Sequence, residues 1–192
     1  MKRIFGFVAL LVAVAFIAAA CGGNSDTTSS SSSKFNAADV TFAQSMIPHH
    51  KQAIEMARMA KTKASSAQVK DLAAKIEGAQ GPEITTMTGW LKDWGKKVPA
   101  DSMSGMEGMD GMGSGSMPGM MSDADMKKLE SASGANFDSM FLTMMISHHT
   151  GAIDMAKTEQ QDGKNADAVA LAKKVEADQA AEIDDMKSML GS

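Results

Sequence analysis

Residues 42–57 read FAQSMIPHHKQAIEMA and residues 141–156 read FLTMMISHHTGAIDMA, so one segment built around a histidine pair occurs twice. A shift of 99 residues aligns Asp39–Leu91 with Asp138–Leu190 without a gap, and 20 of the 53 aligned residues are identical. Chance does not produce such agreement over this length. The chain therefore contains an internal duplication, and each copy is one supersecondary unit.

Each copy is predicted to form a helical hairpin. At 100° per residue, the apolar residues and the histidines of each first segment fall on about one third of the helical wheel. Short polar breaks at 63–66 and 162–165 suit antiparallel neighbours. Two such hairpins can bury their apolar stripes only against each other, which predicts an all-α four-helix bundle. The linker, residues 96–135, is long enough for either an up-down order or a ferritin-like crossover.

The composition excludes several classes of protein. Among 192 residues there are 23 acidic and 19 basic side chains, so the chain lacks the basic excess typical of a nucleic-acid-binding protein. A single cysteine excludes an internal disulfide framework and a multi-cysteine zinc site. Nineteen methionines, four histidines and no tyrosine are unusual counts. Methionine and alanine supply much of the apolar content, which favours helices.

The N-terminus has the layout of a secretory signal. Lys2 and Arg3 precede an apolar run, and three alanines lead to Cys21. The small residues before Cys21 resemble a bacterial lipobox, although Ala18 stands where leucine is usual; the alternative is a plain secretory signal with an incidental cysteine. We therefore expect a signal peptide at 1–20, a lipidated Cys21 with a flexible tether at 21–36, and an extracytoplasmic protein anchored to the membrane.

The duplicated bundle is expected to span residues 37–191, with repeat one at 39–95 and repeat two at 138–191. All the histidines lie in its two pairs, His49-His50 and His148-His149. Methionines share the same helical arc, and imidazole with thioether donors favours copper, particularly Cu(I). The candidate sulfur ligands in the helices are Met46, Met56, Met145 and Met155. The alternative is that these side chains only fill a core. Which histidine of each pair points inward stays open.

Two glutamates lie in the apolar arcs of the second helices. Glu83 and Glu182 are costly to bury unless they are paired. They either accept a hydrogen bond from an imidazole and fix its tautomer, or lie at the rim and pair with lysine.

The linker carries a further set of methionines in Gly-, Ser- and Asp-rich sequence. Such sequence does not form a packed core, so we expect exposed thioethers that capture copper; the alternative is a low-complexity linker or an adhesive surface. The residues are Met103, Met106, Met109, Met112, Met117, Met120 and Met121.

The two histidine segments resemble the signature of the bacterial family catalogued as domain of unknown function 305. The resemblance covers about Ala37–Leu190, with Ser147 in place of the usual proline. It implies a ferritin-like four-helix fold and, as in some members, extracytoplasmic copper binding linked to copper tolerance. It supports the four histidines together with the four helix methionines as ligands.

Rival functions fit less well. A ferritin-type di-iron enzyme needs Glu-x-x-His on two helices, but Met46 and Met145 occupy the glutamate positions. A haem-binding bundle with His/Met ligands and a non-metal envelope adaptor stay as alternatives. No nucleophile–base pair or phosphate loop indicates an enzyme. We expect a copper-binding buffer, scavenger or chaperone, whose partners are the copper ion, the membrane and a copper-transfer protein.

Overall fold

The computed structural model describes residues 34–100 and 117–191, and these form five helices. Helix α1 spans Ala37–Lys63 and α2 spans Ala67–Asp93. After the linker come the short α3 (Asp123–Ser131), then α4 (Gly134–Asp162) and α5 (Ala166–Leu190). The four long helices are the predicted bundle, and the predicted breaks separate α1 from α2 and α4 from α5. In the ranges described, no helix combines the length and apolar character needed to cross a membrane.

Side chains at the helix starts explain where the helices begin. Asn36 accepts hydrogen bonds from the backbone N–H groups of Ala38 and Asp39, while the Asp39 carboxylate accepts from the Asn36 N–H, which completes a capping box. Ser66 caps α2, and its repeat counterpart Asn165 caps α5. Both copies of the hairpin therefore restart their second helix with the same kind of cap.

Two equivalent aspartates join the hairpins and establish the topology. Asp39, at the start of α1, accepts hydrogen bonds from the N–H groups of Lys164 and Asn165, between α4 and α5. Asp138, near the start of α4, accepts from the N–H groups of Ser65 and Ser66, between α1 and α2. The start of each first helix thus lies beside the end of the other. Helices α1 and α4 are antiparallel, so α2 ends and α4 begins at opposite ends of the bundle, as in the ferritin-like alternative.

These aspartates give a first testable prediction. Asp138 is 9% exposed, and replacing it with alanine leaves the Ser65 and Ser66 N–H groups without their acceptor. We expect Asp138→Ala to lower the free energy of unfolding by about 2–3 kcal/mol, measured by denaturant unfolding. The matched control is the exposed Asp71→Ala on α2, which should change stability by less than about 0.5 kcal/mol. Equal effects of the two substitutions would contradict a stabilising role for the hydrogen bonds between Asp138 and the α1–α2 turn.

The bundle core consists of two apolar clusters separated by the histidines. Along α1, His49 and His50 lie between Ile47 of one cluster and Ala53 of the other. Along the antiparallel α4, His148 and His149 separate the same two clusters in the opposite order. One cluster includes Met56, Ile76, Phe137, Phe141, Met145 and Met186; the other includes Phe42, Met46, Ile47, Met87, Leu91 and Val175. The polar histidine layer therefore lies at mid-height in an otherwise apolar interior.

The structure contains a helix within the linker that the sequence did not predict. Helix α3 lies inside the predicted linker, and its Met126 and Leu129 are 8% and 0% exposed within the first cluster. Met121 also packs against that cluster. The expectation that the linker methionines are free of the core is therefore wrong for Met121. Two apolar residues one helical turn apart, Met126 and Leu129, attach this otherwise polar part of the linker to the bundle.

Candidate metal centre

Four buried histidines form the centre of the bundle. Their exposed fractions are 0% for His49, His50 and His149 and 1% for His148. The rings of His49 and His148 lie in contact where α1 meets α4, with centroids 3.7 Å apart and planes inclined by 39°. Both members of each pair therefore point inward, and the first members of the two pairs meet across the pseudo-two-fold relation between the repeats.

The second histidine of each pair faces a glutamate of its own hairpin. His50 Nε2 lies 2.8 Å from Glu83 Oε2, and His149 Nε2 lies 2.6 Å from Glu182 Oε2. Glu83 also accepts a hydrogen bond from Lys174 Nζ at 3.0 Å. The two alternatives for this carboxylate, imidazole partner and lysine partner, thus both occur. A carboxylate on each second helix fixes the ring of the facing histidine.

His49 has a different oxygen partner, which comes from the end of the linker. Its Nε2 lies 3.1 Å from the carbonyl oxygen of Pro118. We call residues 117–122 the strap, because this segment crosses α1 and α4 at the histidine layer. The Gln52 side-chain amide donates to the Met121 carbonyl and accepts from the Met121 N–H, both at 2.8 Å. The strap therefore supplies for His49 the acceptor that a glutamate supplies for His50.

Burial favours the neutral imidazoles of His49, His50 and His148. Desolvation is the main cause that lowers the pKa of His49 to about 3, and the hydrogen bond with the Pro118 carbonyl opposes this shift. Desolvation likewise holds the pKa of His148 well below its ordinary value, and it lowers the pKa of His50 even though Glu83 opposes the shift. Burial alone would raise the pKa of Glu83, but the hydrogen bonds from His50 and Lys174 and the positive charge of Lys174 outweigh it and lower that pKa.

Neutral rings with these contacts leave one nitrogen open for a metal. A carbonyl or carboxylate oxygen only accepts, so the Nε2 of His49 and of His50 carries the hydrogen and the lone pair lies on Nδ1. The Nδ1 atoms of His49, His50 and His149 are buried without a hydrogen-bond partner, and so are both nitrogens of His148. Buried polar atoms of this kind are rare in proteins. A borderline or soft metal ion fits these nitrogens, since metal-bound histidines typically donate their other N–H to an oxygen.

The candidate sulfur ligands lie around this layer in unequal environments. Met46 and Met145, one turn before His49 and His148, are fully buried in opposite clusters, and Met56 is fully buried as well. Met155 is partly exposed against the second cluster. The strap methionines, Met117, Met120 and Met121, are all half-buried. Within the residues described, no three His, Cys, Asp or Glu side chains form a metal-holding group. Met103, Met106, Met109, Met112 and Cys21 lie outside those residues.

The residues that hold the strap were not predicted from the sequence. Gln52 and Gly151 occupy the same position in the two repeats, yet one carries a long amide and the other no side chain. Both are buried at the strap. The signal for this position in the sequence is a difference between the repeats, glutamine against glycine, and not an identity.

Comparisons with known proteins agree with this architecture. The family model described as domain of unknown function (DUF305) matches residues 39–190. The crystal structure of a DUF305 protein from Streptomyces coelicolor, named as a secreted protein, is 33% identical, with a TM-score of 0.71 over 80% of this chain and 91% of that chain. A DUF305 fragment from Deinococcus radiodurans is 27% identical, with a TM-score of 0.70 over 81% of this chain and 97% of that chain.

A third solved structure is CopM in its Cu(I)-bound form, which is 32% identical, with a TM-score of 0.63 over 79% of this chain and 94% of that chain. CopM has also been solved with silver, with Cu(II) and in the apo form. Among curated proteins, none matches the chain.

Proposed function

This chain belongs to the DUF305 family, as its histidine segments indicated, and we propose that it is an extracytoplasmic copper-binding protein that holds Cu(I) at the histidine layer. The observation that carries the proposal is the set of buried imidazole nitrogens without a protein partner. The similarity to CopM, solved with Cu(I), supports the choice of metal. The protein acts as a buffer, scavenger or chaperone in copper tolerance and not as an enzyme.

The proposed ligands are the imidazoles of His49, His50, His148 and His149 with nearby methionine sulfurs. Candidates for the sulfurs are Met46, Met56, Met145 and Met155 in the helices, and Met117, Met120 and Met121 in the strap. Thioethers and neutral imidazoles bind soft monovalent copper without releasing a proton. Glu83 and Glu182 orient two of the rings by accepting their Nε2–H groups. Methionines 103, 106, 109 and 112 of the linker are proposed to capture the ion before the bundle retains it.

The proposed location is outside the cytoplasmic membrane. The signal-like sequence before Cys21 supports export, as does the naming of the Streptomyces coelicolor relative as a secreted protein. We propose that Cys21 carries a lipid anchor. A copper-transfer protein on the same side of the membrane is the proposed protein partner.

Competitive titration with Cu(I) against a calibrated chelator tests this function. Three proteins are compared: the wild type, a variant with all four histidines replaced by leucine, and a variant with Met103, Met106, Met109 and Met112 replaced by leucine. We expect the histidine variant to lose the tightest binding and the methionine variant to lose stoichiometry or uptake rate. Far-UV circular dichroism verifies that each variant is folded, and a Met46→Leu/Met145→Leu variant replaces the histidine variant if that one is not. Equal affinity and stoichiometry throughout would refute the proposal.

A further inference from the structure

The strap is held on the bundle by one buried glutamine. Gln52 is 1% exposed, and its amide forms both a donated and an accepted hydrogen bond with the backbone of Met121. Because the amide both donates to and accepts from the backbone of one residue, it fixes the position and the orientation of the segment. The segment beginning at Met117 therefore has a defined register against α1.

Two glycines allow the strap to lie directly on the backbone of α4. A Cβ atom at Gly151 would overlap the Pro118 carbonyl oxygen and would lie 2.8 Å from the Gly119 nitrogen. Gly119 has a φ of +77°, and a Cβ atom there would lie 2.5 Å from the Ser147 carbonyl oxygen. No other residue fits either position without moving the strap. The close approach brings the Pro118 carbonyl within reach of His49.

The contact with Pro118 gives His49 an oxygen partner at Nε2, as His50 and His149 also have. His50 and His149 each have a glutamate at Nε2, and His49 has the Pro118 carbonyl there. His148, the repeat counterpart of His49, has no acceptor at either nitrogen. The strap thus makes His49 and His148, which occupy the same position in the two repeats, inequivalent.

We propose that Gln52 and Gly151 are positioning residues, which seat the strap so that Pro118 holds His49 in the tautomer with its lone pair on Nδ1. This inference rests on the proposed copper function for its effect on affinity, but the tautomer itself is a property of the metal-free protein. Loss of an outer hydrogen-bond partner of a metal-binding histidine typically lowers metal affinity about 10- to 100-fold. Gln52 and Gly151 act on the ion only through the strap and His49.

The test uses Gln52→Leu and Gly151→Ala in the full chain, with Gln44→Leu and Gly89→Ala as matched controls. Gln44 also donates to a linker carbonyl, that of Lys97, at 2.7 Å. A Cβ atom added at Gly89 would have no neighbour within 4 Å. Long-range ¹H–¹⁵N spectra of the histidine rings in the metal-free protein report the tautomer of His49. We expect the Nε2–H tautomer in the wild type and in both controls, and a mixture in the two strap variants.

Cu(I) titration of the same proteins provides the second measurement. The strap variants should bind about 10- to 100-fold more weakly than the controls. If Gln52→Leu does not fold, Gln52→Glu replaces it, since glutamate keeps the acceptor for the Met121 N–H and loses the donor. An unchanged His49 tautomer in both strap variants would overturn the inference, whether or not copper binds. Absence of Cu(I) binding in the wild type and the controls would instead refute the proposed function.

Discussion

Replacement of His148 by leucine is expected to stabilise the metal-free protein while weakening its binding of Cu(I). Both ring nitrogens of His148 are buried without a hydrogen-bond partner, and burying an unsatisfied polar group costs about 1–3 kcal/mol. Leucine removes that cost at similar volume, although it loses the ring contact with His49. We expect the free energy of unfolding to rise by about 1–2 kcal/mol, measured by denaturant unfolding in the presence of a copper chelator.

The affinity should change in the opposite direction, because the variant loses a nitrogen donor of the proposed centre. We expect Cu(I) binding to weaken by more than the roughly 100-fold upper range for loss of an outer hydrogen-bond partner. A protein that retains a costly buried group for its function is the usual form of a stability–activity trade-off. The opposite signs of the two effects distinguish a ligand from a residue that merely fills space.

The control is the same substitution at His50, where the structure predicts the reverse effect on stability. His50→Leu leaves the largely buried Glu83 carboxylate without its imidazole partner, so we expect a loss of about 1–3 kcal/mol. If His148→Leu destabilises the metal-free protein as much as His50→Leu does, then His148 has a packing role that outweighs its unsatisfied nitrogens.

The hairpins were predictable from sequence because their signal is periodic and repeated. The 3.6-residue period locates the buried face of each long helix, and the polar residues at 63–66 and 162–165 mark the turns. The same period places both histidine pairs in the buried arc, but it leaves open which member of each pair points inward; in the structure both members do. The contacts of Glu83 and Glu182 could be stated only as one of two alternatives, since the face of a helix does not specify the partner.

The crossover and the strap were not predictable, for two physical reasons. The linker is long enough for either topology, and the deciding hydrogen bond, from the Asn165 N–H to Asp39, joins residues 126 positions apart. The strap contacts the bundle through backbone atoms of Pro118 and Met121, and it fits there because Gly151 has no side chain. Neither feature produces a pattern of apolar residues that could be recognised in the sequence. The positions of these contacts are marked in the sequence by differences between the repeats, namely Gln52 against Gly151 and Ala60 against Glu159.

Glu159 is the site of the second large expected effect, which concerns the dependence of stability on pH. Its carboxyl is 1% exposed and neighbours the fully buried Asp39. Burial raises the pKa of Glu159 to about 8, assisted by a hydrogen bond to Asp39 and by its negative charge. The pKa of Asp39 is lowered: burial opposes this, but hydrogen bonds from Asn36, Asn165, Glu159 and Lys164 outweigh it. At neutral pH these shifts favour a protonated Glu159 carboxyl beside the Asp39 carboxylate.

The space for this carboxyl exists only in the second repeat. A Cβ atom at Gly163 would overlap Glu159 Oε1, whereas the first repeat has Ala60 and Ala64 at the corresponding positions. The exchange of two alanines for glutamate and glycine adds a hydrogen-bond donor at the end where Asp39 joins α1 to the α4–α5 turn. At neutral pH the Glu159 carboxyl is consequently protonated in the folded protein and ionised in the unfolded chain.

A carboxyl whose pKa is raised on folding stabilises the protein least at high pH. Below the unfolded value of about 4.5 both states are protonated, and between that value and about 8 only the folded state retains the proton. Stability is therefore lost as the pH rises through this window, by at most about 1.4 kcal/mol per pH unit. Glu159→Gln, which donates to Asp39 without titrating, should raise the free energy of unfolding by about 1–3 kcal/mol at pH 8 and leave it nearly unchanged at pH 4.5.

Denaturant unfolding of the metal-free protein between pH 4.5 and 8.5 measures this effect, with Glu55→Gln as the control on the exposed face of α1. The control should follow the wild type at every pH, while Glu159→Gln should diverge from it progressively above pH 5. A constant difference between Glu159→Gln and the wild type across the range would show that Glu159 titrates alike in the folded and unfolded states. In that case Asp39 would hold the α4–α5 turn through its backbone hydrogen bonds alone.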